Sequence, residues 1–145
     1  MGRKSRDSRR PGVAPGADAT APAPDGGRAL AALALAWAIP GAGHLWLGRR
    51  QKGVVFLCAL PVMFGLGLWL EGALAPFDAT QPLLFLAACA ALGNGALYLL
   101  ASVAGWGEGR VVAATFEYGN TFLIVSGLLN MLIALDAYDV ALGRK

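Results

Sequence analysis

Hydrophobic positions dominate the chain from residue 29 onward and fall into four runs separated by short polar or glycine-rich breaks. The first extends from Ala29 to about Leu47, the second from Gly53 to Leu70, the third from Pro82 to about Trp106 and the fourth from Tyr118 to about Leu142. Each of the last three is long enough for a helix that crosses a hydrocarbon core of about 30 Å with some tilt. The first is different. Its cleanly apolar part, Ala29 to Ile39, makes only about 17 Å of helix at ~1.5 Å per residue. Extended to Leu47 it reaches a spanning length, but Pro40 then sits mid-segment, where it removes a backbone hydrogen bond and kinks the helix. Pro61 predicts a second kink, and Pro82 opens the third run at a first-turn position that suits proline.

The predicted fold is therefore all-α: an integral membrane bundle of four hydrophobic segments (about 29–47, 53–70, 82–106 and 118–142), the first one short and interrupted by Pro and Gly. Composition agrees. The chain is 57% apolar and 14% charged, against roughly 25% charged residues in ordinary soluble domains. Between Gly53 and Gly107 the only charged residues are Glu71 and Asp78, so outer helix faces have almost nothing to offer water. Trp46, Trp69, Trp106, Tyr118 and Tyr138 fall near segment ends, where amphipathic rings anchor at headgroups. Residues 1–27 are rich in Pro, Gly, Ala and Arg, show no apolar period and are predicted to be a disordered basic tail. The membrane-embedded domain is expected to be residues 28–145, in a multi-pass arrangement in a cell inner (plasma) membrane.

Targeting signals and cysteines add little. Ser8–Gly12, SRRPG, resembles a twin-arginine signal, but the apolar run starts too late and Pro11 follows directly. Ala36-Trp37-Ala38 could pass for a signal-peptidase site, and the expectation is that it is not cleaved. Cys58 and Cys89 lie inside apolar runs as small hydrophobes, with no zinc or redox spacing.

Charge distribution bears on orientation. Six of the twelve Lys and Arg lie in the first 28 residues, three (Arg49, Arg50, Lys52) follow the first run, one (Arg110) precedes the fourth and two (Arg144, Lys145) end the chain. With four full spans the two sides hold eight and four. If the first segment dips in and returns, the split becomes ten and two, which the positive-inside rule prefers. The preferred arrangement keeps four helical segments with GRRQK cytoplasmic and leaves the side of the N-terminus open. The net charge of +3 points to anionic lipid headgroups at the GRRQK loop. Nucleic acid is not an expected partner, since no aromatic side chains interleave with the cations.

Between the first two runs stands AIPGAGHLWLGRRQKG, Ala38–Gly53. Pro40, Gly41 and Gly43 loosen the helix and remove bulk. His44, Trp46 and Leu47 would then lie at the membrane interface, Gly48 would end the helix, and Arg49, Arg50 and Lys52 would meet phosphates. The pattern predicts a tight helical hairpin with its turn fixed to one leaflet. This stretch is distantly similar to the Gly-x-Gly-x-His-aromatic-x-Leu-Gly-Arg signature of the two-transmembrane-helix domain family, over about Leu33 to Leu60, with the aromatic displaced to Trp46. PGAGHLWLGRRQKG together with YGNTFLIVSGLLNMLIALDAYDVALGRK, Tyr118–Lys145, more closely resembles the domain of unknown function 6677 family of small bacterial multi-pass proteins. That resemblance implies a bacterial membrane setting and an intact first segment. It implies no reaction, cofactor or partner.

Polar residues at membrane depth are candidate functional sites. In the fourth run Asn120, Gly127, Ala134 and Ala141 recur every seven residues, with Leu123, Asn130 and Ala137 beside them. At about 100° per residue these form one small and polar helix face. In the third run Ala90, Asn94, Tyr98 and Ser102 make a stripe beside Ala87, Ala91 and Gly95, a row that permits close approach. The two faces are expected to pack, with Asn94 and Asn130 satisfying their amides across the interface. The competing expectation is a polar pocket or solute path. Asp136 and Asp139 share a face near the end of the last helix, where they oppose the helix dipole. They are expected to find cationic partners in Arg144, Lys145 or the GRRQK loop. A metal held by His44, Asp136 and Asp139 is the sharper alternative, but nothing in the sequence brings those residues together, and no metal or other cofactor is predicted. There is no GxSxG, HExxH or phosphate-loop motif, and GWGEG (Gly105–Gly109) lacks the Lys-Ser/Thr of such a loop. The chain is expected not to be an enzyme. It is expected to be an accessory or structural membrane protein acting through helix–helix interactions, as a homo-oligomer or within a larger complex. An oligomeric solute or lipid transport component is the alternative, and a metal-dependent membrane enzyme comes last.

Overall fold

The computed structural model describes residues 26–144. The expected disordered tail and the twin-arginine-like stretch lie on residues 1–25, outside the described residues, and Gly26 and Gly27 already belong to the first helix. Among the described residues six helices and no strands form: α1 Gly26–Ala38, α2 Ala42–Trp46, α3 Arg50–Trp69, α4 Pro82–Leu92, α5 Ala96–Val103 and α6 Phe116–Ala141. Two of them, α3 and α6, are long and apolar enough to cross a membrane, and the bent pair α4 and α5 would make a third only as a single span.

Helix α3 holds Pro61 without ending there, so the chain runs unbroken for 20 residues, about 30 Å. It packs antiparallel to α6. Near one end the Lys52 ammonium donates to Asp136; at the other, Gly67 and Gly72 lie against Leu123 and Gly119. Small residues let the backbones approach, as helix pairs without a hydrophobic driving force require.

The first run becomes a hairpin. Pro40 cannot continue the α1 hydrogen-bond ladder, and Gly41 follows with φ +82°, a conformation that disfavours any side chain. A Cβ there would also strike the backbone of Gly53 and Leu57. Helix α2 then turns back, so that Trp46 ends beside Arg28, whose guanidinium lies 5.8 Å from the ring centroid. Thus α1 and α2 leave and return to the same end of the bundle. Along α1, Ala36 is buried with Ala134 and Ala137 of α6.

The third run departs from expectation. The sequence predicts one continuous segment over 82–106, but the helix breaks at Gly93-Asn94-Gly95, and α4 and α5 meet at a bend of 110°. Gly95 has φ +60°, and a Cβ on it would overlap the Trp37 carbonyl. The stripe Ala90–Asn94–Tyr98–Ser102 is therefore not one helix face: Asn94 lies in the break, Tyr98 stacks edge-on to Phe77 at 6.5 Å, and Ser102 is exposed. Helix α5 carries the chain back toward the end where α3 finished. There the Leu74 amide donates to the Gly107 carbonyl at 2.8 Å, and Arg110 pairs with Glu71. Ala101 of α5 joins Phe64 and Leu123 in a second core cluster.

The two ends of the bundle differ in charge. Among the described residues, Arg28, Arg49, Arg50, Lys52 and Arg144 gather at the end where α3 begins, with Asp136 and Asp139. The opposite end holds Glu71, Asp78, Glu108 and Glu117 with Arg110 alone among the cations. Trp46 lies toward the first end; Trp69, Trp106 and Tyr118 lie toward the second, all exposed.

Candidate functional site

Helix ends leave carbonyl oxygens without an intrahelical partner, and inside an apolar bundle each such group is costly. Two helices end in the middle of this one. Asn130 resolves both. It sits 14 residues into α6 and is fully buried. Its amide nitrogen donates to the Trp37 carbonyl at 2.9 Å and to the Gly93 carbonyl at 2.8 Å. One carboxamide on the unbroken helix thus ties down the ends of α1 and α4 together. Asn94, in the α4–α5 break and also fully buried, donates to Ala91 O at 3.0 Å and Leu123 O at 3.1 Å. Each amide reaches a backbone carbonyl of a facing helix, Asn94 also donating back within α4, and the two do not bond to each other. Gly127 lies between them, close against Ala90 and Gly93. Ser126 is buried and donates to the Leu123 carbonyl.

Asn120 lies nearer the acidic end, where its side-chain oxygen accepts from the Ala73 amide at 2.8 Å and anchors the loop after α3.

Toward the basic end, His44 of α2 is fully buried and its Nε2–H donates to Asp136 Oδ2 at 2.9 Å. Lys52 Nζ donates to the same oxygen at 3.3 Å. The imidazole meets Phe56 edge-on at 5.3 Å. One carboxylate on α6 therefore holds the α2 histidine and the first turn of α3. Asp139 turns instead to Arg144 at 3.4 Å. His44, Asp136 and Asp139 do not converge, and among the described residues no group of three His, Cys, Asp or Glu could hold a metal ion. Within the hairpin motif, Gly43 packs on Ala32 and Ala36, Pro40 is buried, Gly48 takes φ +79°, and Arg49 and Arg50 are exposed.

Three buried polar atoms have no hydrogen-bond partner among the described residues: His44 Nδ1, Asn94 Oδ1 and Asn130 Oδ1. Two open cavities lie around the basic end. One, of about 410 Å³, is lined by Gly48 to Lys52, with three cations among them. The other, of about 390 Å³, is an apolar groove between α3 and α6 that ends at Asp136. Sequence reasoning singled out Asn94, Asn130, His44 and Asp136 and expected a cation of the GRRQK loop as a partner for the acids, which Lys52 is for Asp136; it did not place Lys52 between two cavities. Lys52 lies in the first turn of α3, two residues after Arg50 opens the helix.

An all-helical fold with long apolar helices, exposed apolar flanks and few polar groups in its interior is of the membrane-protein type. Residues 31–145 match the Family of unknown function (DUF6677), and the chain belongs to that family. No curated protein and no solved structure matches it.

Proposed function

We propose that this chain is a multi-pass protein of a bacterial inner membrane that crosses the bilayer twice, through α3 and α6, and enters it twice more through hairpins that return. The hairpin α1–α2 enters from the basic end and α4–α5 from the acidic end, and their breaks meet near mid-depth at Asn130. The positive-inside rule then sets the basic end in the cytoplasm, where five of the six described Lys and Arg lie. On this reading the protein has no catalytic role. It acts as a compact accessory or structural component, itself oligomeric or seated in a larger membrane complex. The observation that carries the reading is the pair of Asn130 hydrogen bonds, because they support a packed, interlocked centre. Extraction in mild detergent followed by mass determination tests it. An assembly larger than the 14.9 kDa chain is the expected result, and a stable monomer under all extraction conditions contradicts it.

A second reading, transport, draws on the three unpartnered polar atoms in the interior and on the broken helices, since irregular backbone at membrane depth commonly lines a solute path. Flux measurements in liposomes containing the purified protein separate the two: the accessory reading expects none above empty liposomes.

A further inference from the structure

The two cavities at the basic end have complementary character and share a hinge point. The apolar groove runs along α3 and α6 between Val55, Ala59, Met63, Leu129 and Leu132, and closes at Asp136. The cationic cleft lies immediately before it in the chain, at the start of α3, and contains Arg49, Arg50 and Lys52. Lys52 belongs to the cleft, yet its ammonium bonds Asp136 of the groove at 3.3 Å, so one opens beside the other. Among the described residues this end of the bundle carries five cations and two acids, and Arg49, Arg50 and Lys52 line its mouth. The first turn of α3 contains no acid, and its N-cap residue makes no side-chain capping bond, so the positive end of the helix dipole adds to that field. A long apolar trough with a cationic mouth matches a molecule with a hydrocarbon chain and an anionic head. Soluble anions would use the cleft and leave the groove empty; neutral lipids would use the groove and gain nothing from the cations.

We infer that this is a binding site for one anionic glycerophospholipid, with its phosphate at Arg49, Arg50 and Lys52 and an acyl chain laid along the α3–α6 groove. The inference rests on the membrane reading above and places GRRQK at the inner leaflet. It gives a reason for the position of Asp136: with His44 behind it and Lys52 before it, the carboxylate sets the ammonium at the boundary between the two cavities.

Native mass spectrometry of the full-length protein with added phosphatidylglycerol or phosphatidylcholine provides the test. The expected result is at least tenfold preferential retention of one phosphatidylglycerol. Retention is lost in Arg49→Ala/Arg50→Ala/Lys52→Ala and also in Ala59→Phe, which fills the groove with all cations intact. Val62→Phe, exposed on α3 outside the groove, retains it. Equal retention of both lipids, or unchanged retention in Ala59→Phe, overturns the site. A diazirine-bearing acyl chain on phosphatidylglycerol tests the unaltered protein, independently of how the variants fold. Adducts are expected on Val55, Ala59, Met63, Leu129 and Leu132, and adducts spread evenly over the exposed leucines of α4 and α5 overturn it. Flotation of the same samples with vesicles reports separately on membrane embedding, so loss of the lipid site and loss of the membrane reading are told apart.

Discussion

The Asn130 side-chain amide lies 2.9 Å from the carbonyl oxygen of Trp37, 93 residues away in the chain. This bond, with its twin to Gly93, joins two interrupted helices to one that is continuous. Removing it exposes two carbonyls inside the bundle. Asn130→Ala is expected to destabilise the fold by about 1–3 kcal/mol, the cost of buried polar groups left unmade. Unfolding in graded denaturing detergent measures it, and Asn130→Asp, which offers no amide donor, is expected to be no better than Ala.

Close approach of α4 to α6 depends on Gly127, where a Cβ would overlap the Ala90 carbonyl oxygen. Gly127→Ala should force the helices apart and cost about 1–3 kcal/mol, as overpacking does. Gly65 provides the contrast, because a Cβ there meets nothing within 4 Å. Gly65→Ala is expected to be neutral or slightly stabilising, since alanine is the better helix former. Equal losses in the two variants would show that packing at Gly127 is not the cause.

His44 and Asp136 should behave as a coupled pair. In a double-mutant cycle of His44→Ala and Asp136→Asn, the interaction energy is expected to be about 0.5–3 kcal/mol, as for residues in direct contact. Additive effects would mean the 2.9 Å contact contributes nothing. Asp139→Asn, whose carboxylate meets only the exposed Arg144 among its described ion pairs, should change stability by less than about 1 kcal/mol.

Asp78 turns the loop before α4 by accepting from the side chain and the amide of Thr80. These bonds favour the ionised carboxylate and hold its pKa below the ordinary 3.8, with the Thr80 side chain the larger cause. A lowered folded pKa means that the unfolded chain binds the proton more readily. The turn is therefore fully stabilised above about the ordinary carboxylate pKa and loosens as pH falls through the lower folded one. Amide exchange at Thr80 should show protection that disappears on acidification, and Asp78→Ala should remove that dependence.

The hydrophobic pattern marked α3 and α6 to within a few residues, because an uninterrupted apolar stretch of that length has few other solutions. It also marked the Pro40-Gly41 interruption, since proline states its backbone consequence directly. The break in the third run was invisible to hydropathy. Leu92 and Ala96 are as apolar as their neighbours, and only the Gly93-Asn94-Gly95 triplet hinted that the helix could turn there. Asn94 and Asn130 were legible as polar groups out of place. Their true partners were not, because backbone carbonyls become acceptors only once helices end, and the ending of α4 was not foreseen. The meeting of Asp136 with His44 depends on α2 folding back, a tertiary event that spacing along the chain does not encode.

In the proposed topology both hairpins return to the end from which they came. Cysteine accessibility in intact cells tests this directly, with Cys58 and Cys89 replaced by serine and single cysteines placed at Gly26, Gln51, Thr80 or Ala104. A membrane-impermeant thiol reagent is predicted to label Thr80→Cys and Ala104→Cys from outside, and to reach Gly26→Cys and Gln51→Cys only after permeabilisation. Opposite sidedness of positions 80 and 104, or of 26 and 51, would make one hairpin a true crossing and contradict the account.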